Sequence, residues 1–62
     1  MTVNQFRKKA KIARQCGVAL MRRDGCLYAL YFHGTYWSLW NETTQNCVTT
    51  AYHAEDLEYL FD

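Results

Sequence analysis

Proline is absent from this chain, and glycine occurs only three times, at positions 17, 25 and 34. With no proline, no repeat and no low-complexity tract, nothing marks a linker or a domain boundary. The 62 residues are therefore expected to form one domain around a single modest core. Long apolar runs are missing as well. No stretch approaches the roughly 18 apolar residues that cross a bilayer, and the basic N-terminus MTVNQFRKKAKIAR is not followed by the apolar segment of a secretory signal. These two absences predict a cytoplasmic protein with no membrane partner.

Cysteine is present but poorly arranged for chemistry. Cys16, Cys26 and Cys47 are odd in number and widely spaced, which makes a poor disulfide framework and fits reduced thiols. Together with His33 and His53 they form no CxxC or HxxxH pairing. Neither a metal nor another cofactor is expected, and each cysteine reads as a small core residue. A nucleophile elbow and a glycine-rich loop are also lacking. Cys26 or Ser38 could be combined with His33 as nucleophile and base, but strand alternation puts Cys26 and His33 on opposite faces. So short a chain leaves little room for a preorganised pocket, and the expectation is a protein that is not an enzyme. The sequon Asn41-Glu42-Thr43 carries no meaning without a secretory route.

Acidic residues are missing before Asp24, and basic residues are missing after Arg23. The net charge of +1 thus conceals a basic head of seven residues and an acidic tail of six. Such a division either lets the two ends neutralise one another or offers the head to a polyanion. Half of the residues are apolar and 21% are charged, proportions of an ordinary globular fold.

Thr2 and Gln5 have the spacing of a capping box, so a helix starts there. At 100° per residue Val3, Phe6, Ala10, Ala13 and Cys16 form one apolar stripe, opposed by Arg7, Lys8, Lys11 and Arg14, and Gly17 suits the left-handed residue that ends it. The period then changes from helical to alternating. Asp24-Gly25 is a strong two-residue hairpin signal between apolar runs, and a second tight turn falls at His33-Gly34-Thr35, with either His33-Gly34 or Gly34-Thr35 as its loop. Three antiparallel strands follow, over 18–23, 26–32 and 36–40. NETTQN reads as a loop and CVTTAY as a weaker fourth strand. HAEDLEYLFD, residues 53–62, reads as a short helix with Leu57, Leu60 and Phe61 on its apolar side. The fold class is α+β: an N-terminal helix, a three- to four-stranded antiparallel meander and a short C-terminal helix.

Alternation across the strands sorts their side chains onto two faces. The first face carries Ala19, Met21, Tyr28, Leu30, Phe32, Trp37 and Leu39, and it is the natural core. The second carries Val18, Leu20, Arg22, Leu27, Ala29, Tyr31, His33, Tyr36, Ser38 and Trp40. That second face is too aromatic for ordinary solvated surface, and Tyr, Trp and Arg are the residues that anchor interfaces. Arg22, Tyr31, His33, Tyr36 and Trp40 are therefore the candidate partner-binding residues, for another protein or for a second copy in a homodimer. If the acidic C-terminal helix folded over this face instead, nothing would be left to offer. The competing candidate is nucleic acid, met by Arg7, Lys8, Lys11 and Arg14 on the first helix. Small size, odd cysteine count and aromatic surface suit a regulatory, accessory or inhibitor protein of the kind that phages and mobile elements encode.

Overall fold

A computed structural model describes residues 2–61; Met1 and Asp62, the latter being the last residue of the expected C-terminal helix, lie outside the described residues. The chain runs through α1 (Val3–Cys16), β1 (Val18–Arg23), β2 (Cys26–Phe32), β3 (Trp37–Asn41), β4 (Asn46–Ala51) and a C-terminal 3₁₀ helix (Ala54–Phe61). The class is α+β: among the described residues the chain forms an N-terminal α-helix, a four-stranded antiparallel sheet in the order β1-β2-β3-β4 and a short C-terminal 3₁₀ helix. No described helix is long and apolar enough to cross a membrane.

Local chemistry starts and ends α1 as the sequence predicts. The Thr2 hydroxyl accepts from the Gln5 amide at 3.3 Å, and the Thr2 amide donates to Gln5 Oε1 at 2.9 Å. This reciprocal pair satisfies two donors that the first helical turn leaves without partners. At the other end Gly17 takes φ 94° and donates its amide to the Ala13 carbonyl at 2.7 Å. The apolar stripe is narrower than expected. Phe6 and Ala13 are buried, Val3 and Ala10 are half-buried, and Cys16 is exposed.

Two hairpin turns set the sheet. Asp24 and Gly25 have φ 52° and 80°, the left-handed pair that a type I′ turn requires. Arg23 consequently pairs with Cys26, Met21 with Tyr28 and Ala19 with Leu30. At the second turn the His33 amide donates to the Tyr36 carbonyl at 2.9 Å, and Phe32 pairs with Trp37. Gly34-Thr35 is thus the loop, and Gly34 supplies its φ of 93°. The third strand reaches Asn41 and the fourth begins at Asn46, one residue further into the polar stretch on each side than the composition suggested. Asn41 Oδ1 holds the connecting turn by accepting from the Thr44 amide at 3.1 Å. Between the pairs Leu39–Thr49 and Trp40–Cys47 the fourth strand carries one additional residue, Val48, as a bulge.

The core lies on the first face. Ala19, Met21, Leu30, Trp37 and Leu39 are buried beneath Phe6 and Ala13 of α1 and Leu57 and Phe61 of the C-terminal helix. Each large side chain sealed there contributes about 1.5–3 kcal/mol. That C-terminal helix is 3₁₀ throughout. Its apolar residues recur every three positions, at Ala54, Leu57 and Leu60, so the tighter helix with three residues per turn stacks them on one line against the core.

Candidate partner-binding face

The C-terminal helix decides what the second face can do. It packs beside α1, with the Phe61 ring 5.0 Å from Phe6 and 6.0 Å from Tyr28, so both helices cover the first face. The second face carries no described layer over it.

That face is contoured. Ala29 and Ser38, the small residues at its centre on the two inner strands, are buried although no helix covers them. Their cross-strand neighbours are large: Leu20 and Trp40 flank Ala29, and Tyr31 pairs with Ser38. His33 lies between two tyrosines, its ring 6.2 Å from Tyr31 and 4.4 Å from Tyr36, with interplanar angles of 25° and 20°. Its Nε2 shares a hydrogen bond of 2.7 Å with the Ser38 hydroxyl, which satisfies the buried polar group. Tyr31 donates its hydroxyl to Glu42 Oε1 at 3.3 Å. Burial of the Tyr31 phenol raises its pKa first of all; the Glu42 charge and the hydrogen bond to it act in the same direction.

Tyr31, His33, Trp40, Glu42 and Gln45 line one open depression. Trp40 and Tyr36 remain 37% and 40% exposed; Trp40 stands on β3, which is paired on both sides, and Tyr36 immediately precedes that strand, its carbonyl held by the His33 amide. Four of the five residues expected at a protein interface are therefore neighbours. Arg22 is not. It sits on β1 opposite Leu27, toward the other end of the sheet from His33 and Tyr36, because the Asp24-Gly25 turn carries it away from them.

Two residues at this site escaped the sequence reading. NETTQN reads as a loop, yet the Glu42 amide donates to the Leu27 carbonyl at 2.7 Å and extends the ladder one step beyond Asn41. Its side chain therefore falls on the same face as Ser38 and Trp40. Continuing the alternation 36, 38, 40 to 42 would have found it. Gln45, in the turn with φ 58°, has no such signal.

The basic residues of α1 divide between two environments. Arg7 donates to Glu58 through Nε at 2.8 Å and through Nη2 at 3.2 Å, so head and tail meet directly. That hydrogen bond raises the Arg7 pKa and lowers that of Glu58, and the paired charges reinforce both shifts. Arg14 lies over the rings of Phe32 and Trp37 at 5.7 and 5.5 Å. Arg7, Lys11 and Arg14 line one groove with Tyr52 and His53, whereas Lys8 is exposed outside it. One of the four candidate phosphate contacts is thus held by an acid, and another rests on the aromatic core.

The cysteines correct an expectation. Cys16 and Cys47 are exposed and Cys26 is half-buried, and all three are free thiols. Cys16 falls past the buried part of the helix stripe, and Cys47 is carried to the edge of the sheet beside the Val48 bulge. No group of three His, Cys, Asp or Glu side chains converges among the described residues. No family model matches the sequence, and no curated protein or solved structure shows significant similarity to the chain.

Proposed function

We propose that the protein acts without catalysis, as a protein-binding module of regulatory, accessory or inhibitor type. Its docking surface is the second face of the sheet, centred on Tyr31, His33, Tyr36 and Trp40. The observation that carries this reading is the position of the C-terminal helix, which closes the first face and leaves Trp40 and Tyr36 in solvent around a polar network that holds its own shape. Rings fixed before binding lose little rotamer entropy on contact, which is why Tyr and Trp dominate binding hot spots.

The test is a photo-crosslinking residue placed at Tyr36, with a control at Lys8. A partner caught from the Tyr36 position and not from Lys8, and lost when Trp40→Ala is added to the Tyr36 crosslinking variant with the fold intact by circular dichroism, is the expected result. Binding indifferent to both rings, or lost only in a Lys8→Ala and Lys11→Ala variant, overturns it.

Nucleic acid is the alternative. Its support is the grouping of Lys11 and Arg14 along one groove with Tyr52. Affinity for a single-stranded oligonucleotide that fell steeply with salt and with Lys11→Ala would favour that reading.

A further inference from the structure

Trp40 and Glu42 face solvent without the partner that similar groups have elsewhere in the molecule. On the first face arginine covers the aromatic rings: Arg14 lies over Phe32 and Trp37 at 5.7 and 5.5 Å, and Arg23 lies over Phe61 at 5.5 Å. Arginine also meets carboxylates, Arg7 at Glu58 and Arg23 at Asp24. The second face presents the same two groups, a tryptophan ring and a carboxylate, and lacks the arginine. No basic residue occurs after Arg23, so β2, β3 and β4 carry none. Arg22 on β1 has the whole of β2 between it and β3, and among the described residues no ion pair forms to Glu42.

The two groups are placed by the ladder. Tyr31 pairs with Ser38 and Trp40 with Ala29, while the Glu42 amide bonds to the Leu27 carbonyl. The side chains of Tyr31 and Glu42 therefore start on either side of the Ala29–Trp40 row. Their hydrogen bond, from the hydroxyl to Oε1 at 3.3 Å, brings them together beside Trp40. The Tyr31 ring is further held by its stack on His33 at 6.2 Å. A carboxylate accepts at both oxygens, so Oε2 is open to a further donor. Trp40 is 37% exposed on a strand paired on both sides, and it lines one open depression with Tyr31, His33, Glu42 and Gln45.

Such a depression suits a flat cation. An aromatic face attracts positive charge through its quadrupole, and a guanidinium joins a planar surface for stacking to a fork of N–H donors for a carboxylate. A neutral apolar side chain would use the ring and desolvate the carboxylate without replacing its water. An acidic one would oppose Glu42. We propose, on the reading of this face as the docking surface, that the depression receives an arginine side chain of the partner protein, stacked on Trp40 and bonded to Glu42 Oε2. The partner is thus one that presents an exposed arginine, and the depression supplies both groups that the chain's own arginines use on the first face.

Nuclear magnetic resonance titration of the full chain with Nα-acetyl-arginine amide, at constant ionic strength, tests the proposal. Nα-acetyl-citrulline amide is the control, because it keeps the planar head and loses the charge. The expected result is a saturable shift of the Trp40 indole N–H with a Kd on the order of 10 mM. The Trp37 indole, buried on the first face, should stay in place. The citrulline and lysine counterparts should each bind about fivefold more weakly or worse. Glu42→Gln keeps an acceptor for Tyr31 and removes the charge; it should weaken binding about threefold, and Trp40→Ala should abolish the shift of the Glu42 amide. No saturable shift at about 100 mM probe, equal affinity for the citrulline or lysine amide, or binding unaffected by Glu42→Gln overturns the proposal. Crosslinking from Tyr36 separates that failure from failure of the docking surface: a partner caught equally well with and without Glu42→Gln keeps the surface and removes the arginine.

Discussion

The rings of Phe6 and Phe61 stack with centroids 5.0 Å apart and planes inclined by 21°, which ties the first turns of α1 to the last described residue of the chain. Both rings are buried, and Arg23 covers the outer side of Phe61 with its guanidinium 5.5 Å from the ring. Phe61→Ala should therefore cost about 3–5 kcal/mol. In a domain of this size that approaches the whole stability, roughly 0.05–0.15 kcal/mol per residue. Urea denaturation should show the Ala variant largely unfolded in water and Phe61→Leu folded with a lower midpoint. An unchanged midpoint for Phe61→Ala would mean that the C-terminal helix does not hold α1 in place.

The Arg7–Glu58 pair predicts a pH dependence with a definite sign. Glu58 is held below its ordinary value of 4.5, first by the hydrogen bond from Arg7, so the folded chain binds that proton less tightly than the unfolded chain. The resulting stability is fully present above pH 4.5 and is lost as pH falls through the lowered folded value. Thermal melts of the native chain, of Arg7→Ala and of Glu58→Gln should converge at low pH and differ by a small amount at neutral pH. Added salt should shrink the difference, because the Arg7 side chain is mostly in water. Curves that stay parallel down to acid pH would contradict this assignment.

His33 and Ser38 are predicted to be coupled. His33→Ala leaves a buried hydroxyl without its 2.7 Å partner, and an unsatisfied buried polar group costs about 1–3 kcal/mol. Removing both groups should cost less than removing His33 alone, so the double variant His33→Ala with Ser38→Ala should regain stability relative to the single one. A double-mutant cycle read by denaturant midpoints measures the coupling, and strictly additive values would show that Ser38 finds water or another partner instead.

How much of this was legible in the sequence depended on how local the cause was. Asp24-Gly25 is a self-contained signal, and it yielded the β1–β2 register residue for residue. His33-Gly34-Thr35 allowed two loops, and the choice came from a backbone hydrogen bond between His33 and Tyr36 that no composition encodes. Because the alternatives differ by two residues, the division of the sheet into faces survived the ambiguity. The burial of Ala29 and Ser38 was not legible, since it depends on which large neighbours the register sets beside the small ones. The destination of the C-terminal helix is likewise a packing outcome. Its apolar side could have met either face, and the aromatic partner offered by Phe6 lies more than fifty positions away along the chain. Arg22 falls on the expected face, and the same register that pairs it with Leu27 sets it apart from His33 and Tyr36 along the sheet.

Val48 makes the two borders of the sheet unlike each other. On β1 the outward amides and carbonyls fall at regular intervals, whereas on β4 the additional residue breaks that spacing, and the Thr50 carbonyl already accepts the Thr49 hydroxyl at 3.4 Å. A strand template that repeats can recruit strand after strand without limit; one with a fault in its period cannot. The two borders of the sheet therefore offer an incoming strand different templates: a regular one along β1 and one with a fault in its period along β4.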